Sequence, residues 1–126
     1  MAMQFTLDST PEPPREKRPI IQYEAWLDVS DIARGVGFIA PVLVSVSLND
    51  ALQPLQNEIE GDYDQRLYDC LWLAHFQLSL DQSQSVDFNF TFSRKDWKTE
   101  EISEVSLRVR VETQKQVVLL GLLQDF

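Results

Sequence analysis

Apolar residues between Asp64 and Leu80 repeat at the period of an α-helix. One face carries a core stripe at i, i+4, i+7 and i+11, made of Leu67, Leu71, Ala74 and Leu78 with Cys70 beside it. Roughly opposite this stripe, where a surface helix is usually polar, stand Tyr68, Trp72 and Phe76. We therefore predict one long helix over about 64–80. Its second apolar side is either enclosed within the domain or shared with another subunit, and we expect an oligomer interface at Tyr68, Trp72 and Phe76.

The last third of the chain changes to the period of a β-strand. Residues 86–92 and 105–111 alternate between apolar and polar types, which is typical of half-buried strands. Residues 117–123 are apolar on both faces, which indicates a central strand. These three segments predict an antiparallel meander whose aromatic face covers the core stripe of the helix.

The N-terminal part begins with a segment poor in structure-forming residues. Because four prolines and five charges lie between Ser9 and Pro19, we expect residues 1–19 to form a flexible arm. Strands are predicted over 20–29 and from Pro41 onward, each followed by a short helix. Residues 20–126 are therefore expected to form a single α+β domain, with a mostly antiparallel sheet packed on one long and two short helices.

Composition narrows the possible partners. The net charge of −9 argues against affinity for nucleic acid or for an anionic membrane surface. No apolar segment has the roughly 20 residues needed to cross a bilayer, and no signal peptide is recognisable, so we expect a soluble intracellular protein. The single cysteine, Cys70, cannot form an internal disulfide.

Catalytic motifs are not recognisable in this sequence. The one histidine, His75, lies near the edge of the core stripe, where a structural role is the better interpretation. The sequence contains no zinc-protease motif, no phosphate-binding loop and no complete calcium loop. We therefore expect no enzymatic activity, no catalytic residues, no cofactor and no metal site.

Basic residues are distributed unevenly along the chain. Arg66 is the only one between Gly35 and Ser93, whereas several follow on the last strands. Such a cluster can bind a compact anion, and neighbouring phenylalanines can stack on a base. The alternative is a solvated sheet face whose arginines pair with nearby glutamates. The candidate ligand-binding residues are Arg66, Asp69, Phe90, Phe92, Arg94, Lys95, Arg108 and Arg110.

Residues 26–80 resemble a group of small proteins of phages and mobile elements. The shared pattern is DVSxxAxxxGF, then PVxV(T/S), then GRL(W/Y)DxL. Its counterparts here are Asp28-Val29-Ser30, Ala33, Gly37-Phe38, Pro41-Val42, Val44-Ser45, Arg66-Leu67-Tyr68-Asp69 and Leu71-Trp72. The chain departs from the pattern at Gln65, where glycine is expected, and at Ser45, where threonine is usual. Many proteins with this pattern have no known function.

In size and layout the chain also resembles the Thoeris anti-defence nucleotide sponges of phages. This resemblance implies binding of a cyclic ADP-ribose isomer without degradation, at sites between the subunits of a homodimer or larger homo-oligomer, in the cytoplasm of the host cell. Arg66 and Asp69 are the only ligand-binding candidates that come from the shared sequence pattern. Two alternatives stay open: an acidic protein-binding module or inhibitor with no small-molecule ligand, and an enzyme acting on a nucleotide.

Overall fold

The computed structural model describes residues 26–81 and 83–126. The predicted arm at 1–19 and the first part of the strand predicted over 20–29 lie outside these residues. Ten elements follow in order: β1 (Trp26–Asp28), α1 (Ser30–Val36), β2 (Val42–Ser45), α2 (Val46–Leu52), β3 (Glu58–Ile59), α3 (Tyr63–Leu80), β4 (Ser85–Asp96), β5 (Ile102–Gln114), β6 (Val117–Leu122) and a 3₁₀ turn, η1 (Leu123–Asp125). The α+β class is confirmed, with one long and two short helices.

The six strands form one mixed sheet in the order β1-β2-β6-β5-β4-β3. Only the β2–β6 pair is parallel, and the other four pairs are antiparallel. The predicted meander is confirmed in β4, β5 and β6. Pairing between β4 and β5 continues from Ser85 opposite Glu112 to Lys95 opposite Ile102 without an inserted residue. A side chain's position along β4 therefore fixes the face of the sheet on which it lies.

The apolar face of the sheet packs against the core stripe of α3. Val86, Phe88 and Phe90 of β4 join the same buried cluster as the stripe residues Leu67 and Leu71. Both leucines are almost completely buried, and burial of such a side chain contributes about 1.5–3 kcal/mol. We call this the inner face of the sheet and the opposite side the outer face.

Two short helices complete the core through Ala33 of α1 and Leu48 and Leu52 of α2. The N-cap of α2 is Ser45, whose Oγ accepts the N–H of Leu48 at 3.1 Å.

His75 packs against the end of α1. Its ring meets Phe38 edge to face, with centroids 5.0 Å apart. Gly37 has a φ of 131°, and a Cβ at that position would lie 3.2 Å from the ring nitrogen Nε2 of His75. Glycine is therefore needed here both for its backbone conformation and for its lack of a side chain.

Within the described part of the chain, no helix is both long enough and apolar enough to span a membrane.

Candidate functional site

The second apolar side of α3 is exposed to solvent. Tyr68, Trp72 and Phe76, which we call the α3 aromatic face, have exposed fractions of 42%, 51% and 41%. Trp72 and Phe76 stack with their centroids 5.4 Å apart and their planes 7° from parallel. Leu80, one turn further on, is 65% exposed. No described element of the domain encloses this face.

Such a surface is unusual on an isolated domain. Contiguous exposed apolar patches mark interaction sites, and Trp, Tyr and Phe are enriched at the centres of protein interfaces. The mutual stacking of Trp72 and Phe76 restricts both rings before any partner arrives. Their ordering then costs less conformational entropy on binding.

Charges are unevenly spread along α3. Asp62 caps the helix by accepting the N–H of Gln65 at 3.3 Å, and Asp64 stands in the first turn. Asp69 follows in the same half and accepts a hydrogen bond from the Gln65 amide at 2.8 Å. From Ala74 to Leu80 the helix has no acidic, lysine or arginine residue. The aromatic face is therefore acidic at one end and uncharged at the other.

Arg66, expected as a ligand-binding residue, is buried in an ion-pair cluster. Its guanidinium pairs with both carboxylate oxygens of Glu58, and Arg94 donates to Glu58 Oε1 at 2.9 Å. The side chains of Glu58, Arg66 and Arg94 are exposed by only 2%, 9% and 13%. The partner of Arg66 in the structure is therefore Glu58 of β3, which lies before the helix that carries the arginine.

The same two arginines complete the C-terminus of α2. Arg66 donates to the carbonyl of Leu52 at 3.2 Å. Arg94 donates to the carbonyls of Ala51 at 2.9 Å and Gln53 at 3.2 Å. The last carbonyls of a helix have no partner within the helix and carry partial negative charge. The buried guanidiniums therefore satisfy both these carbonyls and the Glu58 carboxylate.

Both guanidiniums lie close to the ring of Phe92. The Cζ of Arg66 is 4.4 Å from the centroid of the ring, and the Cζ of Arg94 is 5.1 Å away. Phe90 is buried in the core, and the centroid of its ring lies 5.8 Å from that of Phe92. These contacts occupy both phenylalanines that were expected to stack on a base.

Electrostatics in this cluster favour a firmly paired Glu58. Burial lowers the pKa of Arg66, and the neighbouring charge of Arg94 lowers it further. Two guanidiniums around one carboxylate repel each other, so removal of Glu58 would leave two buried like charges. The loop between β3 and α3, which contains Gly61, is closely packed as well. A Cβ on Gly61 would lie 2.7 Å from the Cβ of Pro54.

The remaining predicted arginines lie on the outer face. Arg108 donates to the side-chain oxygen of Asn89 at 3.1 Å. Arg110 donates to both carboxylate oxygens of Asp87, at 2.6 and 3.1 Å, and these hydrogen bonds lower the pKa of Asp87. Arg94 points to the inner face, so a single chain does not bring it together with Arg108 and Arg110. The described chain therefore does not by itself assemble the anion-binding cluster that was expected from the sequence.

Lys95 lies on the same face as Arg108 but at a distance. It is six residues along β4 from Asn89, the partner of Arg108, which corresponds to about 20 Å. Lys95 and Arg94 line a cleft of about 260 Å³ together with Glu58, Asp96 and Glu101. Both acidic and basic groups line this cleft, so its lining has no single sign of charge.

A second cleft, of about 350 Å³, contains none of the candidate residues that were predicted from the sequence. Trp26 and Asp50 line it, together with Ser45, Ser47 and Asp125. Asp125 accepts hydrogen bonds from the hydroxyls of Ser45 and Ser47 at 2.6 and 2.5 Å. These contacts hold η1 against the start of α2. Serine and aspartate at positions about 80 residues apart gave no sequence pattern that predicts this contact.

No protein-family model, curated protein or solved structure matches this chain. Among the described residues, no group of three or more His, Cys, Asp or Glu side chains is placed to hold a metal ion.

Proposed function

We propose that this protein acts by binding another protein chain through the α3 aromatic face, and that the partner is a second copy of itself. The single observation that carries this proposal is the row of three half-exposed aromatic side chains on one helix. No catalytic role is proposed.

The charge pattern of α3 favours a two-fold contact in which the helices run in opposite directions. In that arrangement the acidic N-terminal half of one helix lies beside the uncharged C-terminal half of the other. Asp62, Asp64 and Asp69 then stay apart from their own copies, and the two helix dipoles are antiparallel. A parallel contact would bring like charges together.

The test compares two tryptophans of similar exposure. Trp72 is 51% exposed on the aromatic face, and Trp97 is 55% exposed in the turn after β4. We expect Trp72→Ala to lower the molar mass measured by size-exclusion chromatography with light scattering. Trp97→Ala should leave the mass unchanged, because it removes an equally exposed indole outside the interface. A wild-type protein that is monomeric at every concentration would contradict the proposal.

A second candidate function is sequestration of a cyclic nucleotide, as the resemblance to phage nucleotide sponges implies. The cleft beside Arg94 and Lys95 favours it, since two of the expected ligand residues line this opening. Its volume of about 260 Å³ lies just below the range of roughly 300–1,000 Å³ that is typical of small-molecule sites. A cyclic ADP-ribose isomer would therefore need a second subunit to complete the site.

Capture and release separate this candidate from the others. The protein is incubated with the products of a TIR-domain enzyme and filtered, and the retained fraction is then heat-denatured. A sequestering protein releases the signal intact, and an enzyme releases a different product. A protein-binding module leaves the signal in the filtrate, which would exclude sequestration.

A further inference from the structure

Among the residues that the structure describes, no strand lies beside one side of β4 over most of its length. β3 pairs with β4 only at Lys95 and Asp96, so the described chain leaves residues 85–94 as an edge of the sheet. In the described part of the chain the opposite edge is β1, with three residues. Long regular edges are templates for pairing with another chain.

Backbone hydrogen bonds establish which groups point away from the sheet. The N–H of Thr113 donates to the carbonyl of Gln84, and the N–H of Asp96 donates to that of Glu101. Even-numbered residues of β4 therefore direct their backbone groups toward β5, and odd-numbered residues direct theirs outward. In agreement with this, the carbonyl of Ser93 points away from β5 and accepts a hydrogen bond from Arg66 at 3.4 Å.

Three successive outward-facing residues remain. The N–H and C=O groups of Asp87, Asn89 and Thr91 have no hydrogen-bond partner within the described chain. Ser85 and Ser93, on either side of them, have their carbonyls occupied by Ser83 and Arg66. The unpaired segment therefore has defined ends and offers three donors and three acceptors.

Three common protections of a sheet edge are missing from this segment of β4. Proteins commonly block edges with lysine, proline or a bulge. Residues 85–93 contain neither lysine nor proline, and their pairing with β5 has no bulge. The segment alternates aromatic and polar residues, which favours an extended conformation.

We infer that this edge pairs with the same edge of a second copy, antiparallel and centred on Asn89. In this register Asn89 faces its own copy, and Asp87 faces Thr91. On the inner face Phe88 then lies beside Phe90 of the second copy, so apolar residues meet apolar residues. Asp87, the one charged residue of the segment, is not placed opposite another acid. The pairing joins the two sheets into one, at a surface distinct from the α3 aromatic face.

A symmetric cysteine tests the register directly. In a hydrogen-bonded antiparallel pair the two Cα atoms are about 5.5 Å apart, which suits a disulfide. We expect Asn89→Cys to form a disulfide-linked dimer under mild oxidation, seen on a non-reducing gel. The control is Ser106→Cys, an exposed position on the same face of the neighbouring strand β5. Native Cys70 is buried and does not compete.

The expected cross-linked fraction for Asn89→Cys is at least about tenfold above that of Ser106→Cys, because pairing holds the two thiols at a high effective concentration. Equal cross-linking of both variants, or none in either, would overturn the inference. Thr91→Pro in the Asn89→Cys background should abolish the cross-link, since proline is tolerated at an edge but cannot donate outward. Circular dichroism checks that this variant is folded.

The α3 contact is separated from the β4 contact by one further variant. Asn89→Cys combined with Trp72→Ala should still cross-link if β4 pairs independently. Loss of the cross-link in this variant would overturn the inference of an independent edge contact. An unchanged mass for Trp72→Ala alone would instead count against the proposed function and leave the β4 pairing standing.

Discussion

Glu58 is the residue whose charge the fold should depend on most. We consider Glu58→Gln, which keeps the shape of the side chain and removes its negative charge. The carboxylate is 2% exposed and accepts hydrogen bonds from Arg66, Arg94 and the N–H of Leu55. Its replacement leaves two buried guanidiniums without a counter-charge, close to each other and to the Phe92 ring.

The magnitude follows from the burial of the cluster. Removing one partner of a buried ion pair costs about 3–5 kcal/mol, because the remaining charge is not solvated. The glutamine carbonyl still accepts one hydrogen bond, so we expect the free energy of unfolding to fall by about 3 kcal/mol. For a chain of 126 residues this corresponds to a fall in Tm of roughly 9–15 °C.

Thermal and urea unfolding followed by circular dichroism measure this loss. The matched control is Asp31→Asn, which breaks the exposed Asp31–Arg34 pair, and its stability should be unchanged within error. Glu58→Gln with Arg66→Met should cost less than the sum of the two single variants, because it also removes one of the uncompensated charges. A Glu58→Gln protein as stable as Asp31→Asn would refute a structural role for the cluster.

Two further predictions follow from pKa directions. Burial raises the pKa of the Cys70 thiol, and the charge of Asp69 raises it further. A thiol reagent at pH 8 should therefore react with Cys70 only after a denaturant is added. Rapid labelling of the folded protein would contradict this prediction. Hydrogen bonds from the N–H groups of Thr99 and Lys98 lower the pKa of Asp96 in the folded protein. The ionised carboxylate therefore stabilises the fold at a pH above its pKa in the unfolded chain, which is near 3.9. This stabilisation is lost as the pH falls through the lower pKa of the folded state. The stability difference between wild type and Asp96→Asn, measured by urea unfolding, should therefore be constant above about pH 5 and shrink toward pH 3; a difference that grows on acidification would show the opposite sign.

Periodic segments were predicted well from the sequence. The helix predicted over 64–80 is observed as Tyr63–Leu80, and the meander is observed in β4, β5 and β6. Each of these elements buries one face, so its apolar residues repeat at the period of the backbone. The strand Glu58–Ile59 was missed, because two residues in an acidic connection have no period to detect.

The partner of Arg66 could not be predicted for a related reason. Glu58 lies in the acidic segment between α2 and α3. The composition of that segment suggests only a solvated connection. One signal was present, since a lone arginine beside the core stripe needs a buried counter-charge. Which of the neighbouring acids supplies it depends on how the loop folds back onto α2, and that is set by tertiary packing.

The separation of Arg94 from Arg108 and Arg110 follows from alternation along paired strands. Arg94 shares the inner face of the sheet with Phe92. Arg108 and Arg110 lie on the outer face, opposite Asn89 and Asp87. Alternation along each strand was visible in the sequence. The register between β4 and β5, which decides which residues share a face, was not.

Radical footprinting of the wild-type protein tests the central claim of self-association most directly. Trp72 and Trp97 are similarly exposed in the single chain, so Trp97 serves as an internal reference. With increasing protein concentration we predict that oxidation of Trp72 falls relative to oxidation of Trp97. A constant ratio of the two at all concentrations would contradict self-association through the α3 aromatic face.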